Sequence, residues 1–119
     1  MYAQDWKAAR TGYEALVAKR PEDATLHEML GEVLLALGES RRAIAEYERA
    51  IVLGTINRGL GTMAIVTAYA RLGETEMAIG WIEKMGPVLR FFAARLRQDP
   101  LFATLRADPR VVRLLATVP

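Results

Sequence analysis

The sequence has no cysteine and a single histidine, His27. The first absence excludes disulfides, thiolate catalysis and cysteine-based zinc sites. The second leaves a catalytic triad or a histidine metal cluster without partners. No uncharged apolar run approaches the roughly 18 residues of a membrane-spanning helix. Met1-Tyr2-Ala3-Gln4-Asp5 lacks the basic start and apolar run of a secretion signal. A cytoplasmic location is the expectation, and a fragment of a longer protein would not be bound by it. Gly54-x4-Gly59 is followed by Leu60 where a phosphate loop has lysine, and no strand pattern precedes it. Nucleotide cofactors and metals are therefore not expected.

What is present is apolar and helical in pattern. The chain has 119 residues, 52% of them apolar, enough for one domain with a core. Its net charge of +2 hides a gradient. Residues 1–83 carry 9 basic and 12 acidic groups, whereas residues 84–119 carry 7 basic and 2 acidic. The tail arginines 90, 95, 97, 106, 110 and 113 could contact phosphates. The exposed aromatics of a base-stacking surface are missing, because Phe91, Phe92 and Phe102 sit at core spacing. Nucleic acid is not an expected partner.

The chain is organised around Leu26–Leu53. Leu26, Met29, Leu30, Val33, Leu34 and Leu37 recur at helical spacing. Gly38 then stands where a helix stops in a left-handed residue, and Ser40 where the next would be capped. That next helix sets Ala43, Ile44, Tyr47, Ala50 and Ile51 against a charged face of Arg41, Arg42, Glu46, Glu48 and Arg49.

The pattern His27-x2-Leu30-Gly31-x2-Leu34…Ala43-x3-Tyr47 resembles a tetratricopeptide repeat, a helix–turn–helix unit of about 34 residues. Small Gly31 and Ala43 let the two helices approach, and Tyr47 fills the space toward the following unit. Ala9-x3-Tyr13 lies 34 residues before Ala43-x3-Tyr47, so residues 1–21 read as the second half of a preceding repeat. Leu72-Gly73-Glu74 repeats Leu37-Gly38-Glu39 at a spacing of 35, and Ala78-x3-Ile82 follows with Thr75 as its cap. The expectation is one all-α domain over 1–119, a right-handed solenoid of helical hairpins. It comprises a half repeat (1–21), a repeat (22–55), a divergent repeat (56–86) and a helical cap (87–119). Two Asp-Pro pairs, Asp99-Pro100 and Asp108-Pro109, predict short helices over about 100–106 and 109–117. The run from Asp99 to Arg110 is similar to the closing segment of bacterial tetratricopeptide proteins involved in signalling and regulation. That likeness implies a natural C-terminus packed on the last repeat.

The resemblance also implies a function. In this family the first helix of each repeat lines a concave groove that binds a protein or peptide. Carried over, the groove residues are Thr25, Glu28, Glu32, Leu35 and Ala36 from one unit. The next unit supplies Leu60, Met63, Thr67, Ala70 and Arg71. Glu28 and Glu32 could be read as a catalytic carboxylate pair. No apolar cleft is marked to split their pKa values, so they read as groove lining and the chain as a non-catalytic scaffold. Their charge argues against a clamp for a C-terminal carboxylate and for a basic or mixed partner. The tail could instead fold back and fill the groove. The helix of the half repeat lacks its partner, which points to truncation from a longer array or to cover by a second copy. In the latter case Trp6 and Tyr13 would form a homo-oligomer interface.

Overall fold

The computed structural model describes residues 3–119, with side chains from residue 5 onward. The first two residues of the expected half repeat lie outside the described residues. Eight α-helices follow one another among the described residues: α1 Ala3–Lys19, α2 Ala24–Ala36, α3 Ser40–Val52, α4 Arg58–Arg71, α5 Thr75–Glu83, α6 Leu89–Gln98, α7 Ala103–Ala107 and α8 Pro109–Ala116. Tight 3₁₀ turns at Gly86–Val88 and Pro100–Phe102 introduce α6 and α7. From α1 to α5 each helix packs on the next, and the tail closes over α4 and α5. This is a tetratricopeptide-like helical solenoid with a helical C-terminal segment. Its Cα radius of gyration is 14.8 Å, above the roughly 13.5 Å of a near-spherical domain of this length.

Three glycines make the hairpins. Gly38, Gly54 and Gly73 have φ of 80°, 84° and 72°, a region that side chains with a Cβ rarely enter. At each, two backbone bonds close the helix: Gly38 N–H to Leu35 O with Glu39 N–H to Leu34 O, and likewise at Gly54 and Gly73. This is the Schellman termination. It alters one expectation. Ser40 and Thr75 open their helices, and the cap positions are Glu39 and Glu74, neither of which makes a side-chain cap bond. Those carboxylates pair instead with arginines of earlier helices, Arg10 with Glu39 and Arg41 with Glu74. The expected caps at Asp99 and Asp108 are present, and Asp23 caps α2 in the same way. Asp23, Asp99 and Asp108 accept from the backbone N–H of Leu26, Leu101 and Arg110 at 3.2, 2.9 and 2.9 Å.

Tyr47 is the spacer between the units. A methyl group on Gly31 of α2 would lie 2.9 Å from Tyr47 ring carbons, and one on Gly61 of α4 would lie 3.7 Å away. The ring is therefore seated between two glycines, and α2, α3 and α4 approach one another around it. His27 is 6% exposed. Its Nδ1 lies 2.6 Å from Glu46 and its Nε2 lies 2.8 Å from the Pro21 carbonyl. It thus joins the α1–α2 turn to α3.

The core runs through α4, which is buried at eight positions. Leu89, Ala93, Leu96, Phe102, Leu105, Val111 and Leu115 of the tail join the same cluster. Two residues expected inside are outside: Met29 is 38% and Phe91 68% exposed. Each shares a helix with apolar neighbours that face the core, Leu30 in α2 and Leu89, Ala93 and Leu96 in α6, but lies off that face. The tail arginines mostly bind the protein. Arg97 donates to the carbonyls of Leu115 and Val118 at 2.8 and 2.7 Å, and Arg106 donates to that of Asp99 at 2.7 Å. These satisfy carbonyls at helix ends that have no partner within the helix.

Candidate functional site

The groove positions of the two units have different fates. On α2, Thr25, Glu32 and Ala36 are exposed, Glu28 is half-buried, and Leu35 packs partly on the core. On α4, Leu60 is 64% exposed, Arg71 is exposed and Ala70 is partly buried. Met63 and Thr67 are each 2% exposed. They line no groove, which corrects the carry-over from the family pattern. Met63 belongs to the one hydrophobic cluster that also holds Phe102 and Leu96 of the tail. Thr67 turns its hydroxyl onto the Met63 carbonyl, 2.9 Å away, as a threonine in a buried helix does. Arg71 donates to the Leu35 carbonyl at 3.1 Å, bridging the ends of α2 and α4.

Where α2, α3 and the start of α4 meet, a pocket of about 230 Å³ remains. Glu28, Met29 and Glu32 line it from α2, Tyr47 from α3, and Leu60 and Gly61 from α4. Asn57 closes the edge and donates from Nδ2 to Glu28 Oε2 at 3.1 Å. The second carboxylate oxygen, Glu28 Oε1, is buried and has no hydrogen-bond partner. Tyr47 is 8% exposed, and its phenol is pushed up to about 12, chiefly by burial and then by the Glu32 and Glu28 carboxylates. The pocket is thus negative, semi-enclosed and short of hydrogen-bond donors.

An apolar hollow of about 360 Å³ adjoins it, sharing Asn57 and Leu60. Ile56, 97% exposed, and Phe91, 68% exposed, stand on its rim. Sequence reasoning reached Glu28, Glu32 and Leu60. Met29 and Phe91 read there as core and Tyr47 as packing between units, and Ile56 and Asn57 were not singled out. The available signal was the polar end of Tyr47, which a buried phenol must direct somewhere.

A further apolar hollow, about 340 Å³, lies on α1 among Ala9, Gly12, Tyr13 and Leu16. Trp6 and Tyr13 are each partly buried, and Tyr13 packs against the core while also lining this hollow. Among the described residues no group of acidic or histidine side chains could hold a metal ion, and no helix is long and apolar enough to cross a membrane.

Paired helices with glycine-ended turns, stacked in one direction, define a helical-repeat protein. The tetratricopeptide repeat family model matches residues 1–56. No curated protein and no solved structure matches the chain. Tetratricopeptide repeats in general mediate protein–protein interaction and are typically non-catalytic.

Proposed function

We propose that this chain is a non-catalytic protein- or peptide-binding scaffold whose contact face is the open side of α2 with the first turn of α4. The observation that carries this reading is the pairing of a charged pocket with an exposed apolar hollow. Glu28, Glu32 and Asn57 adjoin Ile56, Leu60 and Phe91 there. An isolated soluble surface gains nothing from such a patch, whereas a binding surface does. The partner has a basic or mixed character, set by the two glutamates. The tail is read as the closing segment of the array, which gives this domain the place of an adaptor or regulatory part in a larger signalling protein.

Selection of peptides from a random display library on the immobilised chain tests this. Enriched peptides should lose at least about ten-fold in affinity on a Glu32→Arg, Leu60→Ser double variant, as expected for removal of a contact at the centre of an interface. No enrichment, or equal binding to the variant, would overturn the assignment.

Self-association is a second reading, favoured by the hollow on α1 that Leu16 borders at 36% exposure. It predicts a dimer in sedimentation equilibrium that Leu16→Glu converts to monomer. Tyr13→Glu is a poorer probe, because Tyr13 also packs inward. A monomer at high concentration would remove this reading.

A further inference from the structure

The pocket between α2, α3 and α4 carries a chemical specificity that the scaffold reading leaves open. Its acceptors outnumber its donors. Glu28 is held by Asn57 through Oε2 only, and Oε1 is buried with no partner. Tyr47, more than nine-tenths buried, ends at the pocket, and both carboxylates act on it through charge alone, with no hydrogen bond between them. Glu32 stands at the mouth, exposed.

We propose that this pocket accepts the ammonium group of a lysine side chain from the bound partner. The proposal rests on the reading of this face as peptide-binding and names the group it recognises. Three acceptor-bearing side chains line it: the carboxylates of Glu28 and Glu32 and the phenol of Tyr47. An ammonium has three donors and no acceptor. A guanidinium asks for two parallel bonds to one carboxylate; Asn57 holds one oxygen of Glu28, so that pairing would fall to Glu32 at the exposed mouth and leave the pocket unfilled. Met29 and Leu60 form walls for the methylene stem, which lysine buries readily while its head is charged. The adjoining hollow at Ile56 and Phe91 would take an apolar residue beside that lysine.

The test needs no variant at its first stage. Amide chemical shifts of the labelled chain are followed on titration with Nα-acetyl-lysine methylamide, its Nε-acetylated form, the norleucine analogue and the arginine analogue. The lysine compound should give saturable shifts at Glu28, Glu32, Asn57 and Gly61, with a Kd in about the millimolar range expected of a single side chain. The acetylated and norleucine compounds should bind at least ten-fold more weakly, since they lose the charge-assisted bonds. Equal binding of norleucine, or no saturation by lysine, overturns the proposal, and tighter binding of the arginine analogue overturns the choice of ammonium. The Glu28→Gln, Glu32→Gln double variant, with folding checked by its melting temperature, should lose the lysine response.

The display-selected peptides separate the two levels. If Leu60→Ser weakens them and Glu28→Gln with Glu32→Gln does not, the face stands and the lysine site falls. If neither does, both fall.

Discussion

Moved along the chain by 35 residues, α2 falls on α4. Thr25 then corresponds to Leu60, Glu28 to Met63, Glu32 to Thr67, Leu35 to Ala70 and Ala36 to Arg71. Both helices end in the same Leu-Gly-Glu turn, closed by the same pair of backbone bonds. Both partner helices present an alanine at 0% exposure to the first helix, Ala43 and Ala78. The template is shared and the outer face is not. Where α2 has two carboxylates facing a pocket, α4 has a buried methionine and a buried threonine. A carboxylate cannot be buried unpaired without a large cost, so the residue type at these positions records which face the fold closes.

The comparison can be broken by exchanging those residues. Met63→Glu should cost about 3–5 kcal/mol in urea unfolding, the range for an uncompensated charge in a core. Glu28→Met should stay within about 1 kcal/mol of the parent, because it also removes a buried oxygen with no partner. If the two changes cost the same, the distinction between open and covered units is wrong.

A smaller effect separates the two glycines around Tyr47. Gly31→Ala forces a methyl to 2.9 Å from the ring, and should cost about 1–3 kcal/mol, as overpacking does. Gly61→Ala meets Tyr47 at an ordinary 3.7 Å, and should instead gain about 0.5–1 kcal/mol, because alanine is the better helix former. Thermal unfolding of the two variants in parallel would show shifts of opposite sign.

The smallest effect concerns how the tail is fastened to the second unit. Arg110 bonds both Asp108 and Glu76. Its hydrogen bonds hold the Asp108 carboxyl down to about 2 and lower that of Glu76 as well. A carboxyl with a depressed folded-state pKa contributes stability above its unfolded value. That contribution is lost as pH falls through the folded value. Stability should therefore decline between about pH 4 and pH 2. Glu76 is exposed and Asp108 and Arg110 are only partly buried, so solvent screens the pairs and the slope is shallow. Arg110→Gln should flatten it, and an unchanged slope would show that other carboxylates govern the acid limb.

Much of this was legible in advance. The hairpin turns could be read because glycine alone fits φ near +80° at low cost, and Leu-Gly-Glu marks two of the three. The Asp-Pro starts were legible because capping is local chemistry. Ser40 and Thr75 were misread as caps because the Schellman bonds carry the chain directly into the next helix. Met63 and Thr67 were misplaced for a different reason. Their register is that of groove residues, and the burial of this face of α4 is a property of the assembled fold.

Helix positions, turn sites and the alternation of first and second helices follow from spacing and from single-residue backbone preferences. Those are short-range properties, written in the chain. Which face remains open, where the Glu28 oxygens find or lack a partner, and how Tyr47 comes to lie between Gly31 and Gly61 depend on different helices brought together, as Asn57 and Glu28 are across 29 residues and Arg71 and Leu35 across 36. Burial and unsatisfied hydrogen bonds belong to an environment rather than to a residue, and the assembled fold alone creates that environment.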